Sequence, residues 1–438
     1  MTHHRSGKCR ACVARLAVCA LAPTVTRSFR TDGAPRPRRP RRLTRAPRHY
    51  DRTVFRWLTA GESHGPQLTV IIEGLPAGLE LSSAQLRRDL ARRQGGHGRG
   101  KRQQIETDQA RIVGGLRGGV TLGSPLAMVL ENRDHQSWLA DMSPEKEGFS
   151  PRRPVTKLRP GHADLAGALK YGHDDVRNVL ERSSARETAS RVAAGGVARA
   201  LLSRFGVRVF SFTHSIGPVD IGYEAVLPEE LSDDDIESSP VRCPVADASR
   251  RMVEEIDAAG ERGDTLGGTF RVIATGLPAG LGSHVHWDRK LDGRLAMAVM
   301  SINAIKGVEF GAGFAGAARP GSEFHDEIAY EEGRFRHLSN RAGGLTGGTT
   351  NGEPVDLRAA IKPISTMKTP MRSVDLASKE QVKAHYERSD VCVVPAAGVI
   401  GEAMVALELA AAFLEKFGGD SIPEIERNLQ GYVRTLAR

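Results

Sequence analysis

The chain has 438 residues, with 62 Lys+Arg against 52 Asp+Glu, a formal net charge of +10 and a sequence pI near 9.6. The excess is local: residues 1–53 hold thirteen Arg and Lys8 against Asp32 and Asp51, a charge of +12, which leaves −2 for the 385 residues from Val54 to Arg438. Composition therefore implies no polyanion-binding body, and the absence of any uninterrupted run of about 18 apolar residues argues against a membrane span.

Residues 1–53 are rich in Arg and Pro, including the run Arg36–Arg42, and offer too little apolar surface to offset the entropy of ordering. They are expected to be a disordered basic extension, a leader or a segment outside the functional protein. The first patterned strand starts near Val54, and no Met lies between Met1 and Met128. Cys9-Arg-Ala-Cys12 has no second pair at zinc-site spacing, and the body keeps only Cys243 and Cys392, which fits a reducing cytosol without a disulfide framework. The tail also motivates one alternative of another class, a nucleic-acid-binding protein.

Phe55–Ala60 and Leu68–Glu73 read as strands around the loop Gly61-Glu-Ser-His-Gly-Pro66, and Ser83–Arg93 as a charged helix. The turn Gly74-Leu-Pro-Ala-Gly-Leu79 recurs residue for residue as Gly276–Leu281, 202 positions later. There too a strand (Thr269–Ala274) precedes it and a helix (Asp288–Ser301) follows. Pro and Gly recur in turns by themselves, but six identities favour two related sheet-plus-helix halves. Ser184-Ala-Arg-Glu187 has the spacing of a capping box and opens a helix to about Phe205. Its small residues Ala189, Ala193, Ala194, Gly195 and Gly196 admit a neighbouring backbone. Gly401–Phe417 is apolar at helical spacing and stops at Gly418-Gly419. Asp220–Ile236 has no clear pattern.

Two glycine motifs fail the structural tests of the sites they imitate. Gly95–Lys101 satisfies G-x-x-x-x-G-K, but Arg102 stands where a P-loop needs Ser or Thr, and a helix precedes it. Gly311–Gly316 satisfies G-x-G-x-x-G, but Arg319-Pro-Gly321 stops the helix a dinucleotide fold requires. The first leaves a glycine loop bearing Arg93, Arg99, Lys101 and Arg102, as consistent with a solvated charge run as with an anion site.

His64 lies in its Gly-bounded loop beside Glu62 and Ser63; a plain surface His is the bland reading. Arg159-Pro-Gly-His162-Ala-Asp164 sets a second His after a Pro-Gly turn, with Asp164 placed to cap a helix. Arg182-Ser-Ser-Ala-Arg186 joins free N–H groups at a helix N-terminus to two hydroxyls and two guanidiniums, a phosphate site that capping alone does not explain. Lys362-Pro-Ile-Ser-Thr366 and Arg388-Ser-Asp390 put charged and hydroxyl groups on loops, surface segments in the bland reading.

Eleven motifs in order, TAGESHGP (59–66), RRQGGHGRGKRQ (92–103), RPGHAD (159–164), KYGHDD (170–175), ERSSARET (181–188), GDTLGG (263–268), SINAIKGVEFG (301–311), NRAGG (340–344), TNGEP (350–354), IKPIST (361–366) and ERSDVC (387–392), resemble the chorismate synthase family from Phe55 to the C-terminus. The tail has no counterpart, so residues 54–438 are the expected catalytic domain. The resemblance implies an α+β fold, a β-α-β sandwich with helices packed between two antiparallel sheets, assembled as a homotetramer. It implies a cytoplasmic lyase of the shikimate pathway that makes chorismate by anti 1,4-elimination of phosphate from 5-enolpyruvylshikimate 3-phosphate. Reduced FMN is required in the family without net redox change. A phosphate-eliminating lyase without flavin is the rival enzyme reading.

Carried over by motif, His64 protonates or anchors the departing phosphate, and His162 acts as an acid toward the reduced flavin. Asp390 is the carboxylate near flavin N5, relayed through Ser63. Arg93, Arg99, Arg102 and Arg186 hold substrate phosphate and carboxylates. Flavin contacts come from Arg182, Ser183 and Ser184, from Asn303, Ala304 and Gly347, and from Lys362, Pro363, Ile364, Ser365, Thr366 and Arg388. No NADP or other nicotinamide site is visible, so an external flavin reductase is the expected source of reduced flavin. The sequence departs from relatives at Ser389, where another branch has His, and at Thr349, where Met is common.

Overall fold

The structure, a computed structural model, describes residues 55–100, 107–226, 230–387 and 389–436. The first half runs β1 (Arg56–Ala60), β2 (Gln67–Glu73), α1 (Ser83–Gln94), β3 (Arg111–Gly114), the short hairpin β4 (Leu116–Arg117) and β5 (Val120–Thr121), and β6 (Leu126–Glu131). Helices α2 (Asp164–Tyr171), α3 (Arg177–Ser183) and the longer α4 (Thr188–Arg204) close it. The second half runs β7 (Arg208–Ile216), β8 (Val219–Asp220), α5 (Ala246–Glu261), β9 (Gly268–Thr275), α6 (Leu291–Met300) and β10 (Ile305–Phe310). Hairpins β11 (Ile328–Glu331)–β12 (Arg334–His337) and β13 (Leu345–Thr346)–β14 (Thr349–Thr350) follow, then β15 (Val355–Ile361), α7 (Val394–Phe417) and α8 (Ile422–Leu436).

Both main sheets are antiparallel, with strand orders β1-β2-β6-β3 and β8-β7-β9-β15-β10. With β8 set aside the orders correspond strand for strand, and the last pair of each slips register, between Ile112 and Gly114 and between Ile305 and Gly307. The repeated six-residue turn is held identically in both. Thr121 Oγ1 accepts the Leu79 N–H at 2.9 Å and donates to the Pro76 carbonyl at 2.6 Å. Thr350 Oγ1 accepts the Leu281 N–H and donates to the Pro278 carbonyl, both at 2.8 Å. Gly78 and Gly280, at φ +90° and +100°, supply the left-handed backbone that lets each turn close. The two halves expected from the repeat are therefore present.

Helices α4 and α7 lie inside one core that takes residues from both sheets. Their small residues set the spacing: a Cβ on Gly195 would fall 2.3 Å from that of Ala403, and one on Gly401 would fall 2.6 Å from Phe270 of β9. Among the described residues, α7 is the one helix long and apolar enough to cross a membrane, but 94% of its apolar window is buried, the signature of a core helix. Its Glu402, fully buried, is gripped by Arg92 of α1, Arg199 of α4 and Arg242. Burial opposes its ionisation, yet the three guanidiniums hold its carboxyl well below the usual carboxylate range. Cys243 and Cys392 are free and buried.

Two local expectations change. Ser184 caps only a short turn at residues 185–187, accepting the Arg186 N–H, because Glu187 turns to Arg191 at 3.0 Å instead of reaching back. Capping boxes form instead at Ser82 with Gln85 and at Ser232 with Asp235. The last long helix starts at Val394 rather than Gly401, with Pro395 in its first turn. The basic extension 1–53 lies outside the described residues.

Candidate active site

A cavity of about 510 Å³ opens where matching parts of the two halves meet. The last turn of α1 and the loop after it bring Arg93, Arg99 and Gly100 to the wall, and the loop after α6 brings Asn303 and Ala304. The connections from β6 to α4 and from β15 to α7 complete the wall. The first carries Arg159, His162, Ser183, Ser184 and Arg186; the second carries Lys362, Ile364, Ser365, Thr366, Glu387 and Asp390.

The arginines are crowded. Arg186 pairs with buried Asp108 and donates to Asn132 Oδ1 at 2.9 Å, while Arg93 reaches the same Asp108 at 3.3 Å and the Ala185 carbonyl at 2.8 Å. Burial, together with the like charges of Arg186 and Arg99 and against the pull of Asp108, pushes Arg93 down to about 10. Arg99 pairs with Asp390 at 3.1 Å, yet its buried Nε has no partner among the described residues. Asp390 also accepts the Gly100 N–H. Among the described residues the Lys362 ammonium is met only by the Pro363 carbonyl, at 3.3 Å. Burial, with Lys306 nearby, lowers its affinity for the proton. Excess positive charge with an unmet donor calls for an anion.

His162 sits on the wall, its Nδ1 on Asp164. Asp164 does not cap its helix as its position suggested. It accepts Arg159 through N–H and Nε at 3.0 and 2.9 Å, and burial notwithstanding, His162 and Arg159 hold its carboxyl well below the usual range. An ionised partner at Nδ1 holds the ring proton on that nitrogen and fixes the orientation of the imidazole.

His64 lies off the wall. It is 5% exposed, its Nδ1 lies 2.7 Å from Glu181 Oε1, and its ring stacks on Trp138 with centroids 4.1 Å apart. Ser63 touches the wall through Ser184, the two hydroxyl oxygens 3.0 Å apart. Arg182 faces away, donating to the Gly61 and Thr59 carbonyls at 3.1 and 3.0 Å, so it braces the His64 loop. Pro363 is not on the cavity wall. Gly347 is a hairpin-turn glycine at φ +62° whose neighbour Gly348 accepts the Leu291 N–H at the start of α6, the opposite end from the cavity. Its sequence signal is turn chemistry. Arg102 and Arg388 lie outside the described residues.

Sequence reading passed over Arg159, Glu387 and Asp108. The first two stand inside recognised motifs as neighbours of more reactive residue types. Asp108 follows a strongly basic run, and an acid just after such a run is the signal that could have marked it as a counter-ion.

A family model described as chorismate synthase matches residues 55–414. Curated chorismate synthases of Desulforudis audaxviator and Geobacter sulfurreducens are 56% and 55% identical over 387 and 388 residues, covering 87% of this chain and 98% of each relative. That of Symbiobacterium thermophilum is 56% identical over 395 residues, 88% of this chain and 100% of the relative. A crystal structure of chorismate synthase aligns with TM-score 0.71 and 41% identity over 87% of this chain and 98% of its own.

Proposed function

The chain belongs to the chorismate synthase family, lyases of aromatic amino acid biosynthesis, and we propose that its cavity takes 5-enolpyruvylshikimate 3-phosphate together with reduced FMN. The observation that carries this reading is the convergence of Arg93, Arg99, Arg159, Arg186 and Lys362 on one pocket beside His162 and Asp390. A substrate with two carboxylates and a phosphate needs that density of fixed cations, each charge-assisted bond contributing roughly 1.5–3 kcal/mol. The same cations meet the charge that develops on phosphate as its C–O bond breaks.

Arg93, Arg99 and Arg186, with Arg102, hold the phosphate and carboxylates. Ser183, Ser184, Asn303, Ala304, Lys362 and Ile364–Thr366, with Arg388, hold the flavin. The unmet Arg99 Nε and the Lys362 ammonium fit two anionic partners sharing the pocket. When bound, reduced flavin supplies electron density to the substrate and recovers it without net redox change. His162 holds a proton at the wall as the acid toward the flavin, Asp390 supplies the carboxylate on the flavin side with Ser63 behind Ser184, and His64, from just behind the wall, protonates or anchors the departing phosphate.

The same reading includes a homotetramer, supported by the open apolar face of the four-stranded sheet, where Leu58 and Ile71 pair across β1 and β2 and Val113 is exposed. It also includes a cytoplasmic location, with NADP serving an external reductase that supplies the reduced flavin, and a catalytic domain spanning residues 54–438. Anaerobic incubation with the substrate should release phosphate with reduced FMN and not without it. Release that ignores flavin, or none at all, would overturn the proposal.

A further inference from the structure

The loop that carries His64 is fastened to one residue of α3. Glu181 accepts the Ser63 N–H on its carbonyl at 2.9 Å and the His64 N–H on Oε2 at 2.8 Å, and its Oε1 meets His64 Nδ1 at 2.7 Å. Its side chain is 4% exposed. Arg177, one turn earlier on α3, stands 3.6 Å from Glu181 and 3.2 Å from Glu387 on the cavity wall. Trp138 stacks on the imidazole and is itself covered by Arg153 and Arg177, at 4.2 and 4.9 Å from its ring centre. His135 Nδ1 meets the His64 carbonyl at 2.8 Å. The ring is thus held in plane and in orientation, and Nε2 makes no hydrogen bond among the described residues.

We propose that Glu181 is the positioning residue of His64: its carboxylate, kept company by Arg177, binds the proton-bearing Nδ1 and so leaves Nε2 as the nitrogen that exchanges a proton in the reaction. This rests on the functional reading above. It gives the two histidines one design, since His162 is held through Nδ1 by Asp164 with Arg159 behind it. Replacing the carboxylate by an amide of equal size reverses the arrangement. Gln offers an N–H to Nδ1, the ring proton moves to Nε2, and the backbone anchor can persist.

The test is a double-variant cycle on the full chain with reduced FMN and substrate. His64→Asn should lower kcat by about 10²-fold or more, the range of a lost general acid. Glu181→Gln should lower kcat at least about tenfold, with KM and flavin affinity little changed. The double variant should be no slower than His64→Asn alone, because Glu181 acts only through His64. Losses that multiply in the double variant would mean that Glu181 is merely a structural staple, and would overturn the proposal. So would a Glu181→Gln enzyme with unchanged kcat, or a His64→Asn enzyme with unchanged kcat. If Glu181→Gln does not accumulate folded, Glu181→Asp enters the same cycle with the same criterion. Wild-type enzyme without flavin-dependent phosphate release would instead defeat the functional reading, so the two failures are separable.

Discussion

The two halves share a strand order, a turn and even the threonine that ties that turn, but they give the cavity different chemistry. The connection from β6 to α4 contributes Arg159, His162 and Arg186, whereas the corresponding connection from β15 to α7 contributes Lys362 with the carboxylates Glu387 and Asp390. The loop after α1 turns with glycines, Gly96 at φ +102° and Gly98 at +84°, and projects arginines. The loop after α6 holds Ala304 at φ +70° and presents Asn303. Duplication therefore explains where a pocket forms, at the meeting of equivalent helix-end loops, and divergence explains what it binds.

Four variants probe that contrast. His162 belongs to the half that supplies the acid, and His162→Ala should cut kcat by about 10²–10⁴-fold while flavin still binds; unchanged turnover would remove it from the chemistry. Glu402 ties the halves, and Glu402→Gln strands three guanidiniums, a loss of about 3–5 kcal/mol in denaturant unfolding. Because its folded carboxyl sits below the unfolded value of about 4.3, its contribution is fully present above that pH and fades as pH falls further. Glu387, held down to about 2 against burial by His385 and Arg177, fades in the same direction. The variant should accordingly flatten the acid limb of the stability curve; an unaltered limb would place the acid sensitivity elsewhere. Smallest are Thr121→Val and Thr350→Val, each expected to lose about 1–3 kcal/mol by orphaning a buried N–H and carbonyl. Equal losses support equivalent turns, and a neutral result in either would end the equivalence.

Much of this was legible in the chain. Strand β2, the turn and α1 follow from alternation, Pro-Gly chemistry and helical spacing, all of which act within a few residues, and the same pattern announced the second copy. The cavity arginines were visible because Arg93, Arg99 and Arg186 stand beside glycines or a helix start. Other features were hidden. The pairing of His64 with Glu181 spans 117 positions, and that of Arg92 with Glu402 spans 310. Nothing local distinguishes Asp164 as a cap from Asp164 as the partner of His162.

The sequence by itself determined the charge boundary near Val54, the repeated strand–turn–helix and the motif order that places the chain in its family, because these are properties of neighbours along the chain. Tertiary structure alone decided that His162 faces the cavity while His64 stands behind its wall, that Asp108 serves two arginines, and that the turn holding Gly347 docks on the start of α6 rather than on the cavity. Those are contacts between residues far apart in sequence, fixed by how α4 and α7 pack through their small residues between two sheets.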